Sequence, residues 1–116
     1  MYTSVSWLPT NWQITYHPYT ESQSLAISKD GGQTWQEYEG NPVINATTDT
    51  APMFWNLTGF RDPFLEPLPS MDVLLGMSEP HYYAVFGSGI KGVGPRMPLW
   101  TAPASDLTSW SWLGAL

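Results

Sequence analysis

Proline and glycine punctuate this chain so often that only short strands fit between them. Eleven prolines and ten glycines fall among 116 residues, and both residue types mark turns. Alternating, β-forming stretches occupy the gaps: 2–7, 22–28, 34–38, 63–66, 81–87, 97–101 and 111–114. Residues 8–20, 45–58 and 88–95 read as loops. Residues 67–80 are ambiguous between one or two helical turns and an irregular insert. Pro98 places its strand at an edge or gives it a bulge. No long helix is expected.

A turn followed by tryptophan occurs twice, from Asp30 to Trp35 and from Asp106 to Trp110. Short antiparallel strands with such weak internal repetition fit radially repeated sheets, a β-propeller with inserts between strands. A β-sandwich is the competing architecture. Ser28-Lys29-Asp30-Gly31-Gly32-Gln33-Thr34-Trp35 fits the aspartate-box pattern. The carboxylate bonds turn amides, glycine takes the strained dihedral and tryptophan packs underneath.

Composition excludes several function classes. A net charge of -6 without a basic run argues against nucleic acid. The absence of cysteine removes disulfides and thiol chemistry. No stretch is apolar enough to span a membrane, and residues 1–16 are no signal peptide. Asn45-Ala46-Thr47 and Asn56-Leu57-Thr58 are glycosylation acceptors by pattern. The glycine-rich 87–94 lacks the ending of a phosphate loop, and Ser88 stands in no nucleophile elbow. Lys91 and Arg96 in and beside it read as turn residues. His17 and His81 are too far apart for a local metal pair, and no cofactor or metal is expected. Trp7, Trp12 and Trp55 are candidates for a wall against a sugar, with packing as the alternative.

The sharpest candidate is Gly59-Phe60-Arg61-Asp62-Pro63-Phe64. A charged pair inside an aromatic run is either a buried ion pair or an exposed working site. A carboxylate at Asp62 can accept hydrogen bonds from vicinal hydroxyls of a sugar. Arg61 would keep it ionised or bond elsewhere across the cleft, and Pro63 would fix the chain direction.

This stretch resembles the Arg-Asp-Pro motif of glycoside hydrolase family 32, the invertases, inulinases and fructosyltransferases. Tyr2-Thr3-Ser4-Val5-Ser6, residues 21–28, Gly40-Asn41-Pro42-Val43-Ile44, residues 89–96 and Asp106-Leu107-Thr108-Ser109-Trp110 follow in the family's order. The combination is most similar to fungal secreted members. The resemblance implies an all-β fold, part of a five-bladed propeller: about one blade plus parts of its neighbours. It implies retaining chemistry on β-fructofuranosides of the sucrose, inulin or levan type, by hydrolysis or fructosyl transfer. Asp62 becomes the transition-state stabiliser, and Arg61, Asp62 and Trp55 the substrate-binding residues.

The family's nucleophile motif and its Glu-Cys acid/base have no counterpart in residues 1–116. Glu21, Glu37 and Glu39 are expected in or near the outer hairpin, and Glu66, Asp72, Glu79 and Asp106 lack the right context. Residues 1–116 are therefore expected to be an internal piece of the catalytic propeller, without the C-terminal β-sandwich. Such a piece would depend on missing blades, be inactive alone and come from a secreted protein. The alternatives are a sialidase-like propeller and a non-catalytic carbohydrate-binding or structural one.

Overall fold

The computed structural model describes residues 1–5, 21–45 and 57–116, with only the backbone at 57 and 58. Trp7, Trp12, His17, Trp55 and Asn56 lie outside the described residues. Three short strands build the first sheet: β1 (Tyr2–Val5), β2 (Glu21–Ser24) and β5 (Ile44–Asn45), in the order β1-β2-β5 and antiparallel throughout. The expected strand 22–28 is interrupted at Leu25. There Asn41 substitutes for a ladder partner: its Oδ1 accepts the Leu25 N–H at 2.8 Å and its Nδ2 donates to the Leu25 carbonyl at 2.9 Å. Beyond this clasp, β3 (Ala26–Ile27) and β4 (Gln36–Glu37) form a hairpin.

The tip of that hairpin is the aspartate box. Asp30 Oδ1 accepts the amides of Gln33 and Thr34 at 3.0 and 2.9 Å, and Oδ2 accepts the Thr34 hydroxyl at 2.6 Å. These bonds hold the Asp30 carboxyl down at about 2, the Thr34 hydroxyl contributing most. Gly31 and Gly32 take φ of 72° and 89°, which an L side chain resists. Trp35 differs from expectation. It stays 65% exposed and is anchored by its indole N–H on the Gly32 carbonyl at 3.1 Å. The second turn repeats the device: Trp110 donates to the Leu107 carbonyl at 2.7 Å, and Asp106 accepts from Thr108.

The larger sheet holds β6 (Leu57–Pro67), β7 (His81–Ile90), β8 (Gly94–Arg96), β9 (Pro98–Pro103) and β10 (Ser111–Ala115). Its order is β10-β9-β7-β6, with β8 lying end to end with β9 along β7. Consecutive antiparallel strands of this kind make one propeller blade, with β1-β2-β5 beside it: an all-β partial propeller. Several boundaries move. The expected glycine-rich loop 88–95 is mostly the end of β7, a turn and β8. Pro98 opens an interior strand as its first residue, where no ladder donor is lost. The bulge lies in the partner, β10, between Trp112 and Gly114.

The ambiguous insert is one helix, α1 (Pro69–Leu75). Proline starts it, and Gly76 ends it at φ 67° with its N–H on the carbonyls of Asp72 and Val73. None of its residues is buried. What ties it down is polar: Asp72 accepts the Tyr83 hydroxyl at 2.8 Å and the His81 amide at 3.4 Å.

The core lies between the sheets. Ile44 from β5 meets Phe60, Ala84, Phe86 and Trp100 of the blade. The Phe60 and Phe86 rings sit 4.8 Å apart, and Trp100 meets Trp112 edge-on at 5.7 Å.

Candidate active site

Asp62 owes its position to a bulge. In the β6–β7 ladder Arg61 faces Gly87 and Phe64 faces Val85, so Asp62 and Pro63 together oppose the single residue Phe86. A second irregularity, between Leu57 and Phe60, precedes it. The extra residue shifts the side-chain alternation. Phe60 is fully buried and Leu65, an odd number of residues later, packs on the same core, while Phe64 is 60% exposed. Asp62 takes φ 57°, the left-handed region that aspartate tolerates better than most residues. Pro63 has no N–H to lose where the ladder is broken. The bulge therefore turns Asp62 out to solvent.

The outer edge of β6 is held by the other sheet. Glu21, first residue of β2, accepts the Phe60 N–H on Oε2 and pairs through Oε1 with Arg61 Nη2 at 3.0 Å. Gln23, fully buried, donates to the Phe60 carbonyl at 2.7 Å. Thr3 on β1 accepts the Asp62 N–H at 3.2 Å and donates to Gln23 Oε1 at 3.2 Å. The edge groups of Phe60 and Asp62 are thus met by side chains where, among the described residues, no strand pairs.

Arg61 and Asp62 are brought to one depression of about 210 Å³, lined also by Gly59, Gly87 and Ser88. A Cβ on Gly59 would stand 2.9 Å from Arg61 Nη2, too close without a shift of the guanidinium, whereas one on Gly87 would make ordinary contact, 3.6 Å from Asp62 Oδ2. Ser88 donates to the Gly59 carbonyl at 2.6 Å, bracing the rim.

Arg61 thus bonds across to β2, the second of its two expected arrangements. The placement of Glu21 by the outer hairpin is corrected: it stands against the charged pair, 16% exposed. Its signal in the sequence was weak, an acidic residue opening an alternating strand some forty positions from its partner. Three other acidic side chains are engaged away from the charged pair. Glu37 accepts from Tyr2, Glu79 from Ser105 and Asp72 from Tyr83. His81 turns Nδ1 to the Glu79 carbonyl at 2.8 Å, and Arg96 donates to its neighbour's carbonyl at Pro95. Among the described residues no group of three His, Cys, Asp or Glu is placed to hold a metal.

The blade thus presents an aspartate from a bulge beside the neighbouring sheet. The chain belongs to glycosyl hydrolase family 32: residues 1–116 match the model of the glycosyl hydrolases family 32 N-terminal domain. It is 34% identical over 74 residues to an invertase of Debaryomyces hansenii, covering 61% of this chain and 12% of the invertase. It also superposes on the β-fructofuranosidase of Aspergillus kawachii, solved with glycerol, with a TM-score of 0.77 and 39% identity over 97% of this chain and 18% of that one. The chain thus spans less than a fifth of either relative. The family match decides against the sialidase-like alternative.

Proposed function

We propose that this chain supplies the transition-state-stabilising part of an enzyme that cleaves or transfers β-fructofuranosyl units, with Asp62 as the stabiliser. The observation that carries the reading is the bulge: it presents the Asp62 carboxylate to solvent while Arg61 is engaged by Glu21. An ionised carboxylate so placed accepts hydrogen bonds from two vicinal sugar hydroxyls. As positive charge develops on the fructosyl ring those hydroxyls become better donors. The carboxylate then binds the transition state more tightly than the ground state.

Retaining cleavage needs two further carboxyl groups, a nucleophile and an acid/base, roughly 5 Å apart. Asp62 alone forms no covalent intermediate, so residues 1–116 by themselves are expected to show no turnover. The substrates are fructose-containing oligo- or polysaccharides, no cofactor takes part, and the whole protein works outside the cell.

The test is an exchange. Residues 1–116 replace the aligned segment of the Aspergillus kawachii β-fructofuranosidase, and release of fructose from sucrose and inulin is followed. A folded exchange enzyme that releases fructose supports the reading, and one that is folded but inert on both sugars refutes it.

A further inference from the structure

Glu21 places one carboxylate oxygen on each of two consecutive residues of β6. Oε2 takes the backbone N–H of Phe60 and Oε1 the guanidinium of Arg61 at 3.0 Å. Both contacts fall immediately before the bulge that carries Asp62. With both oxygens in use and the side chain 16% exposed, Glu21 is poorly placed to touch a sugar itself. Gly59 makes the arrangement possible, since a Cβ there would stand 2.9 Å from Arg61 Nη2.

Neither contact is local in sequence. Thr3 and Gln23 hold the same stretch, but by its neutral backbone groups. Glu21 adds an opposite charge to Arg61. Without it the guanidinium would have a second carboxylate within one residue, that of Asp62. A guanidinium prefers a planar pair with a carboxylate, and pairing there would occupy the oxygens the sugar needs.

We propose that Glu21 is a positioning residue for Asp62. It keeps the Arg61 guanidinium on β2 and anchors Phe60, so that the bulge presents Asp62 unencumbered. This rests on the reading of Asp62 as the sugar-gripping carboxylate.

The experiment uses the exchange enzyme carrying residues 1–116, with Glu21→Gln made alone and together with Asp62→Asn. Glutamine keeps the size and one acceptor while removing the charge. Glu21→Gln alone is expected to lower kcat about tenfold or more with KM within about threefold, because alignment rather than binding is lost. In the Asp62→Asn background the same change is expected to cost less than about threefold, since the two residues act as one unit. Equal losses in both backgrounds would show a general effect on the fold and overturn the proposal, as would an unchanged kcat for the single variant. Should Glu21→Gln fail to fold, Glu21→Asp, which keeps the charge on a shorter stem, is read against the same pair of backgrounds. A near-normal kcat for Asp62→Asn itself would instead remove the reading of Asp62, and this inference with it.

Discussion

Glu21 and Arg61, forty residues apart in the chain, meet at 3.0 Å across the gap between two sheets. The pair is partly exposed, so its net contribution to stability is modest, about 0–1 kcal/mol. Its consequence is directional: the charge of Arg61 is drawn away from the adjacent Asp62.

Gly59→Ala perturbs that direction with little effect on the fold. The added methyl would stand 2.9 Å from Arg61 Nη2, and the flexible end of the arginine gives way first. Stability should change by less than about 1 kcal/mol. In the exchange enzyme kcat should fall on the order of 10-fold or more. Thermal melting and kinetics on the same preparation check both; a normal kcat would mean that the guanidinium's placement is immaterial.

The aspartate box carries a pH signature. The Asp30 carboxyl titrates at about 2 in the folded chain, against an ordinary 3.8, chiefly because of the Thr34 hydroxyl. Its stabilising contribution is therefore present above the ordinary value and lost as pH falls through about 2. Asp30→Asn, which mimics the protonated form, should loosen the hairpin at neutral pH. Its melting temperature should converge with that of the wild type as pH falls from about 4 to about 2. Circular dichroism follows the melt, because Trp35 is one of seven tryptophans and its emission does not stand alone. A gap that persists at the acid end would contradict this.

Much of this turn can be read from the sequence, because its chemistry is local: Ser28, Asp30, Gly32 and Thr34 bond one another within seven residues. The strong strand at His81 and the scarce Arg61-Asp62 pair were legible for the same reason. The partner of Arg61 was not, since a strand's polar edge looks alike whether it faces solvent or a neighbouring sheet. β6 also runs well beyond the 63–66 that its sequence pattern suggests. A strand crossing Gly59 and Pro63 breaks the alternation rule twice, and two bulges absorb both breaks. Residues 67–80 were ambiguous because the helix buries nothing, so no apolar period marks it.

That helix is fastened through Tyr83. Burial, then the hydrogen bond and charge of Asp72, raise the phenol to about 12 from an ordinary 10.0. The neutral phenol is favoured in the fold, so this contribution is whole below the ordinary value and is lost as pH rises through about 12. Tyr83→Phe should cost about 1–2 kcal/mol and raise amide exchange in α1 before the rest of the blade. It should also remove one tyrosine titrating near 12 from the alkaline absorbance curve. Unchanged exchange in α1 would show that the helix is held by something else.

Phe60 ties the site to the core. Its ring is fully buried, 4.8 Å from that of Phe86, and its backbone is held by Glu21 and Gln23. Phe60→Ala should destabilise the fold by about 3–5 kcal/mol, measured by denaturant melting. A loss under about 1 kcal/mol would place the core elsewhere.

The most direct measurement is kcat for Asp62→Asn in the exchange enzyme. Asparagine keeps the shape and tolerates the left-handed backbone at this position, so the melting temperature should stay unchanged. Loss of the charge and of one acceptor should lower kcat by about 100-fold or more. A folded variant that turns over fructoside within about threefold of the parent would contradict the account and leave Asp62 as a structural feature of the bulge.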